Sequence, residues 1–207
     1  MKSWMHILRS GILLTFAVMI LAFLNLLIHE FGHCITMNKV EGICEGVYIL
    51  PGIKVWPLSD FGESYQGDWS DRIGVASYAE VPQGKFERGL VSFMGSGSIA
   101  FVSTIALIAL WVFKPKGWGQ NLLLIQAIFF GDILLYTILP EWFDLQHFFF
   151  IGGAYPEPLE GAMAMGISKN IFIAGVLIYS VFMMAGWLMY INKFLMAKKV
   201  DIQKQKR

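Results

Sequence analysis

Hydrophobic and polar positions along this chain fall into long blocks rather than short alternations. Residues 11–28, 90–113 and 171–191 contain no charged side chain, and residues 121–139 contain only Asp132. Each block is close to the roughly 20 apolar residues with which a helix crosses a hydrocarbon core. The pattern predicts four transmembrane helices, near 5–38, 88–113, 120–139 and 169–194, in one membrane-embedded domain covering 1–207. Residues 41–88 are different, carrying eight acidic residues against four basic ones with repeated glycine and proline. Within that segment VYILPGIKVW, residues 47–56, sets two β-branched and aromatic runs around Pro51 and Gly52, which predicts two short strands about a turn of type II geometry. Pro140 predicts the end of the third helix. The expected class is an all-α polytopic membrane protein with a small β-containing loop region at 41–87, between helices one and two.

Composition agrees with this class. The 207 residues are 56% hydrophobic and 15% charged, with a mean hydropathy of +0.58, which excludes an ordinary soluble domain. Lys2 and Arg9 ahead of the first block have the look of a signal peptide, but the block lacks a small-x-small cleavage site and continues into the motif described below. Cys34 and Cys44 are too few for a zinc finger or a disulfide framework, and read as small apolar fillers. The tail at 197–207 has five bases against one acid and reads as a solvated end. Nothing suggests nucleic-acid binding; the expected partners are the lipid bilayer and a membrane-protein substrate.

The candidate chemistry sits where the first block ends, in LNLLIHEFGHCITMNK, residues 24–39. Positions four apart on a helix lie one turn apart on nearly one face, so His29 and His33 can direct both imidazoles at one Zn2+ ion. Glu30 is about 100° round the helix, placed to act as a base toward water rather than as a ligand. Ionisable groups beside a membrane span are expensive and are kept for function, and three of them stand here within five residues. Gly32 removes bulk and permits a close neighbour. Asn25, one turn before His29, is placed either to orient that ligand or to hydrogen-bond between helices.

A catalytic zinc takes a third protein ligand. Asp144 follows the third block and reaches the same membrane depth as His33 if the helices alternate in direction. His147 shares that location, Asp132 lies about 18 Å back along the helix at 1.5 Å per residue, and Glu141 and Glu160 are further alternatives. At this point the chain resembles the site-2 protease family of intramembrane zinc metalloproteases. HEFGH matches the family's His-Glu-x-x-His motif. FMGSGSIAF, residues 93–101, is similar to its Gly-Pro-x-x-Asn element, with Ser96 and Ile99 in place of Pro and Asn. LPEWFDLQHFF, residues 139–149, is similar to its Pro-x-x-x-Leu-Asp-Gly-Gly-His element, with Leu145 and Gln146 in place of the glycines. The resemblance implies Asp144 as the third ligand and hydrolysis of peptide bonds in or near transmembrane segments. It also implies that an exposed strand, sought near Val47, Tyr48, Ile49, Ile53 and Val55, holds a locally unwound substrate by β-augmentation.

Three other readings remain at the level of sequence: a zinc-binding regulatory protein without turnover, a metallohydrolase of lipids or small amides, and a metal-containing transporter. The last is disfavoured because the chain shows no paired, interrupted helices in two halves. Orientation divides the signals. Ten Lys and Arg fall in the N-terminus, the 114–119 link and the tail, against six in the other connections. That excess puts both termini inside and the motif outside, whereas the resemblance implies a site toward the cytosol.

Overall fold

The computed structural model describes residues 2–67, 73–145 and 155–205. Stretches Leu8–Met37, Lys85–Phe113, Trp118–Phe143 and Lys169–Phe194 are long and apolar enough to cross a membrane, so the chain is a multi-pass integral membrane protein of the expected class. Helix α1 (Lys2–Lys39) is proline-free and runs unbroken to the end of the motif. Its first half exposes Ile12, Phe16, Met19 and Phe23, while Asn25, Leu26, His29, Glu30, His33, Cys34 and Met37 are buried. That buried stripe repeats every three to four residues and makes one side of α1 face the protein.

Strands β1 (Ile43–Ile49), β2 (Ile53–Trp56) and β3 (Gly74–Glu80) follow. They form one antiparallel sheet in the order β2-β1-β3, with Ile49 opposite both Ile53 and Gly74. The strands flanking Pro51 and Gly52 are as expected, but the turn between them is not of type II. Leu50–Pro51 is cis, and the Gly52 N–H donates to Ile49 O at 2.7 Å. The sheet is fastened to α1 by a disulfide between Cys34 and Cys44, with Cα atoms 5.2 Å apart. This corrects the reading of the two cysteines as fillers. β1 turns back beside the last turns of α1, and the two side chains meet in a cluster with Met37, Val47 and Val91.

Helix α2 (Lys85–Phe113) returns through the membrane. The third span is not one helix: α3 (Trp118–Ile128) and α4 (Gly131–Phe143) are separated at Phe129 and Phe130. Hydrogen bonds there tighten to three-residue steps, as from Phe129 N to Gln126 O and from Asp132 N to Phe129 O. Pro140 does not end the helix, which continues to Phe143 and closes with the Asp144 and Leu145 N–H groups on Pro140 O and Leu139 O. A short helix, α5 (Glu157–Ala164), lies where a plain connection was expected, and α6 (Lys169–Gln205) is the fourth span.

Lipid is as apolar as leucine, so membrane helices associate through close packing and polar pairs rather than through the hydrophobic effect. Asn25 and Gln126 exchange reciprocal hydrogen bonds of 2.9 and 3.0 Å, joining α1 to α3. Of the two roles expected for Asn25, this is the helix-packing one. Ala106, Leu107, Leu110, Ala127, Phe130, Met183 and Tyr190 pack α2, α3, the break after it and α6 together. Helix α5 meets α2 backbone to backbone: a Cβ on Gly89 would lie 2.5 Å from Gly161 O, and one on Gly161 would lie 2.6 Å from Gly89 O. This contact brings the start of α5 to the motif-bearing end of α1.

Candidate metal centre and active site

His29 and His33 project from the last turns of α1 with ring centroids 4.8 Å apart and planes at 77°. The third group beside them is Glu157, the first residue of α5. Its Oε2 lies 3.5 Å from His29 Nε2 and 3.5 Å from His33 Nε2, and donors of the three residues fall within 4.8 Å of one another. Ligands at about 2.0–2.1 Å in tetrahedral array stand about 3.4 Å apart, so two imidazoles and a carboxylate at this spacing suit one metal ion. The space is kept by Gly95 of α2: a Cβ there would lie 2.6 Å from His29 Nε2 and closer still to His33 Nε2.

The surroundings set the state of each ligand. His33 Nδ1 lies 2.7 Å from Val91 O. A carbonyl only accepts, so Nδ1 carries a proton and Nε2 is the nitrogen turned toward Glu157 and available to a metal. Asp132, at the start of α4 and fully buried, places Oδ2 4.0 Å from His29 Nδ1; it stands behind that imidazole and not among the converging donors. Tyr136, one turn further on, tilts over His29 at 6.0 Å and hydrogen-bonds Glu157. Burial alone would raise the Glu157 carboxyl, but the His33 and His29 imidazoles outweigh it and hold the group well below the usual carboxylate range.

Glu30 is buried beside this trio without joining it. The Ala76 main chain hydrogen-bonds its carboxylate, and Gly74 allows the approach, since a Cβ there would lie 2.6 Å from Glu30 Oε1. β3 therefore runs directly past the candidate base. Tyr78, two residues on, is half-buried; burial first, then the carboxylates of Glu157 and Glu30, push its phenol up, so it is protonated at neutral pH.

Other residues expected at the site lie elsewhere. Asp144 is exposed and adopts φ 51° as the left-handed cap of α4, a conformation that Asp tolerates. It is not among the donors that converge on the two histidines, where Glu157 stands instead. Glu141 pairs with Lys169, Glu160 lies three residues beyond Glu157 on α5, and His147 lies outside the described residues. The strand expectation is also corrected. Val47, Tyr48 and Ile49 belong to the central strand, paired on both sides. Ile53 and Val55 belong to β2, whose outer edge is covered by residues 62–65 through Lys54 N to Glu63 O, Gly62 N to Lys54 O and Tyr65 N to Gly52 O. Among the described residues the open edge is that of β3.

Sequence reasoning missed Glu157, Tyr136 and Tyr78. A signal for the first was present: in YPEPLEG an acidic residue stands between two prolines that preset a helix start, immediately before small residues able to seat the helix on a neighbour. The tyrosines gave none, because their approach depends on how β3 and α4 pack. Comparison with family models, curated proteins and solved structures finds no match to this chain.

Proposed function

We propose that the protein is an intramembrane zinc metalloprotease that hydrolyses peptide bonds in or near transmembrane segments, similar in chemistry to the site-2 protease family but with Glu157 in the position expected of Asp144. The observation that carries the reading is the convergence of His29, His33 and Glu157 beside Glu30 at the end of a membrane-spanning helix. A zinc ion held by the three would supply Lewis acidity and a water acidic enough to yield hydroxide near neutral pH.

The chain's own groups do the rest. Glu30 takes the proton from water and returns it to the departing amine. Val91 O and Asp132 stand behind the two imidazoles and orient their Nε2 atoms toward Glu157, where the ion would be held, and Tyr136 holds the Glu157 carboxylate. A helical substrate hides its carbonyls in its own hydrogen bonds, so it must unwind locally before attack. The open edge of β3 offers the unwound segment backbone partners beside Glu30. Zinc content and cleavage of a synthetic transmembrane peptide, measured for wild type and Glu30→Gln in one detergent, test the proposal. Glu30→Gln keeps its zinc and loses turnover by orders of magnitude. Equal cleavage by both removes Glu30 as base; zinc binding with no cleavage by wild type favours a regulatory protein instead.

A further inference from the structure

Peptide hydrolysis needs more than a base and an ion. When the water oxygen bonds to the carbonyl carbon, the C=O π pair moves onto oxygen, and that charge develops between two carboxylates, Glu30 and Glu157. A hydrogen-bond donor aimed at the oxygen lowers this barrier, commonly by more than any other single protein group. Among the described residues no cation serves: Lys54 is bound to Asp60 and Glu63, Lys169 to Glu141, and Lys85 and Arg88 are exposed at the start of α2.

Gly74, Ala76 and Tyr78 share one face of β3 by strand alternation, and the first two of them meet Glu30. The Tyr78 ring is fixed against the cluster of Cys34, Met37, Cys44, Val47 and Val91, and Cys44 is its cross-strand partner. The disulfide and the residue whose carbonyl holds His33 therefore support this ring. Its hydroxyl makes no hydrogen bond among the described residues, whereas the Tyr136 hydroxyl is engaged with Glu157. Tyr136 is thus occupied in holding Glu157, whereas Tyr78 has a proton to offer.

We propose that Tyr78 is a catalytic residue whose hydroxyl donates a hydrogen bond to the scissile carbonyl oxygen of a peptide laid along the β3 edge. The inference rests on the hydrolase reading above. Tyr78 keeps its proton throughout. The electron pair gathered on oxygen returns as the C–N bond breaks, Glu30 passes the proton taken from water to the leaving nitrogen, and water is the only co-reactant consumed.

Tyr78→Phe retains the ring and its packing and removes only the donor. In full-length protein it should keep wild-type zinc content, melting temperature and KM for the synthetic transmembrane peptide, while kcat falls about 100- to 1000-fold. Affinity for a phosphinic peptide of the same sequence, whose anionic oxygens occupy the position of the charged carbonyl oxygen, should fall by a similar factor. Binding of the uncleaved peptide to Glu30→Gln should be the same with or without Tyr78→Phe. A Tyr78→Phe enzyme within about threefold of wild type in kcat, or one that has lost zinc, overturns the proposal and leaves the hydrolase reading standing. If wild type cleaves nothing, the hydrolase reading fails by itself. Phosphinic-peptide affinity then still decides whether Tyr78 donates to an oxyanion, and an unchanged affinity overturns that too.

Discussion

Gly95→Ala puts the candidate metal centre under direct local stress. The added methyl would stand 2.6 Å from His29 Nε2, 2.7 Å from His29 Cε1 and closer still to His33 Nε2. Comfortable non-bonded separations are about 3.5 Å, so something must retreat by about 0.9 Å. α2 is held near this point, because Gly89 is seated on the α5 backbone and Gly32 is pressed against Met94 O. His33 is held by its 2.7 Å contact to Val91 O. The strain falls on the imidazoles, at the roughly 1–3 kcal/mol typical of overpacking, and metal–donor distances tolerate only about 0.2 Å of error. At about 1.4 kcal/mol per tenfold, zinc affinity should drop about 10- to 100-fold while the helices remain folded. Competition against a chromogenic chelator, with circular dichroism as the folding control, measures both. Gly97→Ala is the matched control, because its Cβ would meet only the Phe93 ring, 2.8 Å away, which can turn aside. Zinc bound by Gly95→Ala at wild-type affinity would refute the placement of the ion.

Further substitutions separate the remaining claims. Glu157→Gln, which keeps shape and removes charge, should lose zinc and cleavage, whereas Asp144→Asn, at an exposed cap that Asn also tolerates, should keep both; the opposite result in a zinc assay would restore Asp144 as ligand. Asn25→Leu strands the Gln126 amide in a buried helix interface and should destabilise the protein by about 1–3 kcal/mol, read as a lower midpoint in detergent unfolding, with no such loss in an Asn25→Leu/Gln126→Leu double variant. Breaking the Cys34–Cys44 bond with a Cys34→Ser/Cys44→Ser pair should cost about 2–3 kcal/mol in the same assay. Disulfides persist on the oxidising side of a membrane, and the Lys and Arg excess puts the termini on the other. A cysteine introduced at exposed Ser59 in that background should therefore react with an impermeant maleimide added from outside the cell, and labelling only from the cytosolic side would reverse the topology.

What could be read in the sequence was what is local. The uncharged blocks announced the spans because length and apolarity alone decide whether a helix can cross a bilayer, and His29, Glu30 and His33 announced themselves because their geometry is contained in one and a half helical turns. The Pro51–Gly52 hairpin was visible for the same reason, although its turn geometry was not. What stayed hidden depends on how distant segments pack. Glu157 reaches the histidines only because Gly89 and Gly161 let α5 sit on the α2 backbone, and no periodicity in residues 155–164 encodes that neighbour. Asp144 looked like a ligand by spacing, yet its backbone closes α4 in a left-handed cap and the residue stands exposed, outside the group formed by His29, His33 and Glu157. The open edge belongs to β3 because residues 62–65 fold back over β2, a tertiary event that the strand pattern of 47–56 cannot express.

The most direct test of the central claim is a zinc titration of chelator-stripped protein reconstituted in liposomes with a synthetic transmembrane peptide, following cleavage in water enriched in oxygen-18. Cleavage should be absent without metal, rise in proportion to bound zinc and level off at one ion per chain, with the heavy oxygen appearing in the newly formed carboxyl group. Cleavage that persists in the stripped protein, or a chain that binds zinc fully and leaves the peptide intact, would contradict a metalloprotease built on His29, His33 and Glu157.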